Sequence, residues 1–66
     1  MKLCEKLVKL RKESGMTQEE LAEKIFVTRT AVSKWENDKG YPGIDSLKLL
    51  SRLYGISLDE LISEED

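Results

Sequence analysis

Apolar residues recur along this chain at spacings of three and four, without sustained alternation, and that period belongs to helices. Leu3, Leu7 and Leu10 form one face of a first helix predicted over 2–13, and Lys2, Lys6 and Lys9 form a solubilising stripe opposite it. Gly15 is its expected C-terminal cap. A second helix, 17–25, opens on T-Q-E-E, a capping box in which Thr17 accepts from the Glu20 amide while the Glu20 carboxylate reaches back. Its apolar face is Leu21, Ala22 and Ile25, and Met16 staples against Leu21 across the cap. Phe26, Val27 and Thr28 leave room only for a tight turn, with Thr28 placed to cap a third helix over 28–37. Val27 and Val32 repeat the staple. Val32 and Trp35 point inward at helical spacing, which leaves Arg29, Thr30, Ser33 and Lys34 on an outer face that carries two cations and no anion.

Residues 38–43 hold Gly40, Pro42 and Gly43 and read as the longest loop. A fourth helix over 44–54 starts with Asp45 in its first turn, buries Leu47, Leu50 and either Leu53 or Tyr54, and closes at Gly55. Ser57 to Glu60 is a second capping box, stapled by Ile56 and Leu61, that opens a short fifth helix over 57–62; residues 63–66 are expected to fray. The predicted fold is an all-α, five-helix bundle in a single domain over 1–66.

Sixty-six residues suffice for one small core, since a chain of this size buries only about 60% of its unfolded surface. A single cysteine, Cys4, and no histidine exclude a disulfide framework, a zinc finger and histidine-based catalysis. Cys4 and Trp35 read most simply as core residues. No apolar run approaches the roughly 18 residues of a membrane span, and the N-terminus lacks a signal-peptide core, so a soluble, cytoplasmic protein is expected. No nucleophile stands beside a base, and no dinucleotide, phosphate-loop or metal-ligand spacing occurs, which argues against an enzyme and against any cofactor or metal.

The net charge of -2 speaks against a nucleic-acid partner until its distribution is read: residues 1–39 carry +2 and residues 40–66 carry -4. Salt screens charges beyond about 10 Å at 0.1 M, so a local basic face can still bind phosphate. Two short helices joined by a three-residue turn, the second with a polar, cationic outer face, form the arrangement that places a helix in the major groove. Ala22 supplies the small residue such a helix crossing needs. Arg and Lys suit guanine, and Thr a thymine methyl.

The runs M-T-Q-E-E-L-A-E-K-I-F-V-T-R-T-A-V-S-K-W-E-N over 16–37 and Y-G-I-S-L-D-E-L-I over 54–62 resemble the Cro/C1-type, or XRE-like, helix-turn-helix regulators of bacteria and phage. The resemblance covers nearly the whole chain. It implies a lambda-repressor-like domain that binds double-stranded operator DNA as a homodimer, represses transcription, and joins the nucleoid when bound. It also implies base reading by Arg29, Thr30 and Lys34, with Ser33 beside them on base or phosphate. Gln18 at the start of the second helix, with Asn37 and Lys39 after the third, matches phosphate-contacting positions, and Arg11 with Glu36 matches a structural ion pair.

Leu58, Leu61 and Ile62 are candidates for the dimer contact or for a partner-protein patch. The alternative function is accordingly a protein-interaction module, such as an antitoxin or adaptor, which the acidic second half favours. Family members often carry glycine in the turn, where this chain has Phe26. A phenylalanine is unfavourable at positive φ, so a different turn geometry is expected, which bears on the tilt of the third helix; alternatively, Phe26 lies over the helix pair as extra packing, a reading favoured over direct DNA contact. Tyr41 either packs under its loop or lies near the DNA backbone.

Overall fold

The computed structural model describes residues 1–64 and contains five α-helices: α1 (Leu3–Glu13), α2 (Gln18–Lys24), α3 (Arg29–Glu36), α4 (Ile44–Tyr54) and α5 (Leu58–Ile62). Among the described residues there is no strand. The helices start where capping chemistry places them. Thr17 Oγ1 accepts from the Glu20 amide at 3.1 Å while the Glu20 carboxylate accepts from the Thr17 amide at 2.9 Å. Ser57 and Glu60 repeat the exchange at 3.0 and 3.4 Å, and Thr28 accepts from the Ala31 amide at 3.1 Å. Each cap satisfies amides that the first helical turn leaves without partners.

Four helices end in one way. Gly15, Phe26, Asp38 and Gly55 have φ of 70°, 60°, 58° and 67°, the left-handed conformation that closes a Schellman motif. The residue after each donates its amide five positions back: Met16 to Arg11, Val27 to Ala22, Lys39 to Lys34 and Ile56 to Ser51, at 3.2, 3.0, 2.8 and 3.1 Å. Three of these closures then run directly into the next cap, as Gly15-Met16-Thr17, Phe26-Val27-Thr28 and Gly55-Ile56-Ser57. In each the order is a left-handed residue, an apolar residue that packs against the core, and a hydroxyl cap.

The expectation that Phe26 would force a different turn is therefore corrected. The turn has the geometry of its two glycine counterparts, and phenylalanine adopts it. Phe26 does not cover the helix pair either, for it is 84% exposed.

Leu3, Leu7, Leu21, Ala22, Ile25, Val32, Trp35, Leu47, Leu50 and Leu61 make the core, so every helix contributes to it. Tyr54 is the half-buried member of the Leu53 or Tyr54 pair, and Leu53 is exposed. Cys4 is half-buried and lies outside the core cluster, contrary to the sequence reading.

The expected fraying does not describe Ser63 and Glu64. The Ser63 amide donates to the Asp59 carbonyl at 2.9 Å, and the Met1 amino group donates to the Glu64 carbonyl at 2.6 Å. The Lys6 ammonium donates to the carbonyls of Glu60 and Ser63 at 2.6 and 2.5 Å. Lys6 thus sets a cation against the negative end of α5 and is more than part of a solubilising stripe. The same expectation for Glu65 and Asp66 falls outside the described residues.

Candidate nucleic-acid interface

The position of α3 is fixed from both sides. On its inner face Val32 and Trp35 are buried among Leu21, Ala22 and Ile25 of α2 and its C-terminal cap. Ala22 is 3% exposed, and its carbonyl accepts the Val27 amide, so the small side chain sits where the chain turns from α2 toward α3. At the far end of α3, Glu36 acts as a hub for three helices. Its carboxylate accepts from Arg11 Nε at 2.7 Å and Nη2 at 3.0 Å, and from Gln18 Nε2 at 3.0 Å. The remaining Arg11 reach, Nη1, donates to the Met16 carbonyl at 2.9 Å, just before the α2 cap. One half-buried network therefore ties α1, the entry to α2 and the end of α3 together. The hydrogen bond from Arg11 to Glu36 is the main reason the guanidinium pKa is raised above its ordinary value.

The Tyr54 hydroxyl of α4 feels the same pair. Burial, with the Glu36 charge adding to it and Arg11 opposing, pushes its pKa up to about 12. Its oxygen is buried and has no hydrogen-bond partner among the described residues.

On the outer face of α3, Arg29, Thr30, Ser33, Lys34, Asn37 and Lys39 line one open groove of about 380 Å³. Arg29, Thr30, Lys34, Asn37 and Lys39 are exposed and Ser33 is half-buried. Lys39 belongs to the loop, and the bond from its amide to the Lys34 carbonyl folds it back beside the helix. No carboxylate lines the groove. The neighbouring Asp38 is paired instead with Lys2 Nζ at 3.4 Å, and its carboxylate is the main reason the Lys2 pKa is raised. Three cations thus share a face on which the opposing charge is held elsewhere.

Two of the residues assigned to phosphate by resemblance already have partners within the protein. Gln18 gives one N–H to Glu36 and keeps the other. Asn37 Nδ2 donates to the Ser33 carbonyl at 2.8 Å and stands 3.4 Å from Ser33 Oγ. Sequence reasoning missed both bonds. The i to i+4 spacing of Ser33 and Asn37 was the available signal for one; nothing local links Gln18 to Glu36, 18 positions away.

Of the candidate dimer residues, Leu61 has no exposed surface and Leu58 is half-buried against the core. Ile62 is 41% exposed. Leu61 is consequently withdrawn from any contact surface. Tyr41, left open by the sequence, is 65% exposed beside Trp35 and Pro42.

The helix-turn-helix family matches residues 7–61 of this chain. The HTH-type transcriptional activator BcrR of Enterococcus faecalis is 50% identical over 66 residues, which is 100% of this chain and 32% of BcrR. Among solved structures, the P22 c2 repressor protein in complex with synthetic operator 9T superposes with a TM-score of 0.90 at 26% identity, covering 98% of both chains. The SinR protein/SinI protein complex gives 0.85 at 30% identity, covering 94% of this chain and 61% of that one. Against several curated relatives, this chain spans between about a third and just over half of their length.

Proposed function

Because this chain belongs to the helix-turn-helix family of Cro/C1-type regulators, we propose that it is a sequence-specific double-stranded DNA-binding head that regulates transcription from the cytoplasm. The observation that carries this reading is the α3 groove, where Arg29, Lys34 and Lys39 converge with polar side chains and without a carboxylate. With α3 in the major groove, Arg29 and Lys34 donate to guanine N7 and O6, Thr30 offers its methyl to thymine, and Ser33 completes the reading face. Lys39 and the free N–H of Gln18 take phosphates on either side. Glu36 fixes which way the Gln18 amide is turned, since a carboxylate only accepts and so takes one N–H, leaving the second N–H of the same nitrogen for the phosphate.

The protein acts as a homodimer on an inverted repeat, with the exposed Ile62 and the edge of Leu58 in the contact. Repression follows from occupying an operator that a promoter overlaps. The relative that is 50% identical is named an activator, and the same head serves that outcome when its site lies beside the promoter.

Selection of binding sites from a random duplex pool tests this reading. The expected product is a pair of inverted half-sites spaced by about one helical turn, roughly 34–36 Å. Folded protein that enriches no sequence would shift the assignment to a protein-holding module. That alternative draws on the charge of -4 over residues 40–66 and on the likeness to SinR, whose solved structure is a complex with SinI.

A further inference from the structure

We infer that Asn37 is a positioning residue for base reading, which sets the Ser33 hydroxyl as a hydrogen-bond donor toward an acceptor on a base. The inference rests on the DNA-binding reading of the α3 groove and assigns Asn37 a task other than touching phosphate. Its basis is the direction of one amide. The bond of 2.8 Å to the Ser33 carbonyl requires a donor, so the Asn37 nitrogen and not its oxygen faces Ser33. That nitrogen lies 3.4 Å from Ser33 Oγ. An amide nitrogen carries hydrogens and accepts none, so the hydroxyl hydrogen cannot point at Asn37. The Ser33 hydroxyl donates to no other side chain among the described residues, and Ser33 lines the groove with Arg29 and Lys34.

A freely rotating serine hydroxyl reads nothing well, because it donates to one base and accepts from the next. Held with a lone pair toward Asn37 and its hydrogen toward the groove, it becomes selective. Purine N7, guanine O6 and thymine O4 are acceptors that take its hydrogen, whereas the exocyclic amine of cytosine is a donor that leaves that hydrogen unused and meets an oxygen with one of its two lone pairs already engaged. The ligand class at this position is therefore a purine or thymine on the strand that Ser33 faces. Asn37 contributes no sequence information of its own; it removes the ambiguity of its neighbour.

The test is site selection followed by titration of variant duplexes with the parent, Asn37→Ala, Ser33→Ala and the double variant. The parent should disfavour cytosine at one base pair, and each single variant should reduce that discrimination by about 3- to 10-fold, the worth of one net hydrogen bond. The double variant should be no worse than either single one. Asn37→Asp is the second probe, of nearly the same shape, and a thermal melt of each variant confirms folding. Its carboxylate has no hydrogen for the Ser33 carbonyl or the Ser33 hydroxyl oxygen, so it cannot hold the hydroxyl as the amide does, and the discrimination against cytosine should be lost as in Asn37→Ala. An even loss of affinity across all duplexes in Asn37→Ala, with the preference at that pair intact, would overturn the inference while leaving the DNA reading standing. A folded parent that selects no sequence overturns both.

Discussion

Arg11 and Glu36, 25 positions apart, form a two-pronged ion pair at 2.7 and 3.0 Å whose side chains are only 13% and 5% exposed. A surface pair of this kind contributes little, but a pair shielded to this degree leaves an uncompensated charge when one partner is removed. Glu36→Gln should therefore cost about 3 kcal/mol in urea denaturation. The carbonyl oxygen that glutamine keeps can still accept from Gln18, so the cost falls on the Arg11 guanidinium, which loses its counter-charge. A loss below about 0.5 kcal/mol, the range of ordinary surface substitutions, would show the network to be peripheral to the fold.

Phe26 is the one bulky residue at a position that glycine fills in the two matching connections. The left-handed conformation costs a residue with a Cβ roughly 1–2 kcal/mol, and an 84% exposed ring recovers little of that by packing. Phe26→Gly should raise stability by about 1 kcal/mol, seen as a Tm increase of about 4–8 °C for a domain of this size. Phe26→Ala is the control, because it removes the ring and keeps the backbone cost. Equal gains in both variants would place the cost in the exposed ring and not in the backbone.

Helix number, caps and most of the core are legible in the sequence because they are local: a capping box spans four residues, and an apolar stripe repeats within one helix. The left-handed closure at Phe26 was legible too. Gly15-Met16-Thr17, Phe26-Val27-Thr28 and Gly55-Ile56-Ser57 show the same apolar and hydroxyl succession, but residue identity at the first position argued the other way. The groove residues Arg29, Thr30, Ser33 and Lys34 follow from helical spacing alone. Lys39 and Gln18 do not, since the first reaches the groove through the backbone closure of α3 and the second meets Glu36 only in three dimensions. Leu61 was misplaced for a related reason. Periodicity shows that a helix has an apolar face, and only the packing shows that α5 uses its central leucine inward.

The Tyr54 hydroxyl is buried without a partner, a state that costs about 1–3 kcal/mol. Tyr54→Phe keeps the ring in the core and removes the stranded oxygen, so stability at neutral pH should hold or rise. The alkaline limb should differ as well. With the folded pKa raised to about 12 from 10.0, the unfolded chain loses its proton first, so Tyr54 draws stability away as pH rises from about 10 toward 12. Urea midpoints above pH 10 should fall less in Tyr54→Phe than in the parent. Parallel curves would contradict the burial of the hydroxyl.

Glu20 gives the opposite limb. Its carboxylate accepts first from the Thr17 amide and also from the Thr17 side chain, which lowers its pKa below the ordinary 4.5. The unfolded chain then takes up a proton before the folded one does, so this contribution is full above about pH 4.5 and is lost as pH falls through the folded value. Glu20→Gln can still accept the Thr17 amide but does not titrate. The difference in Tm between parent and variant should shrink on going from pH 7 to pH 3, and a constant difference would remove the capping carboxylate from the acid limb.

The DNA-facing residues separate by what each variant changes. Lys34, exposed on α3, is assigned to a base edge, whereas Lys39, brought in by the loop, is assigned to a phosphate. Lys34→Ala should alter preference at one or two base pairs, with a loss of about 1–3 kcal/mol on the parent site and less on sites changed at those pairs. Lys39→Ala should weaken every duplex alike and reduce the steepness of log K against log salt by about 1, because one counterion fewer is released. Gln18→Ala should also weaken all duplexes evenly yet leave the salt slope unchanged, since its amide carries no charge. Fluorescence anisotropy on a selected site and a scrambled one, at four salt concentrations, yields both quantities from one set of titrations. A preference that shifts in Lys39→Ala while Lys34→Ala changes only the slope would exchange the two roles and turn α3 about its axis in the groove.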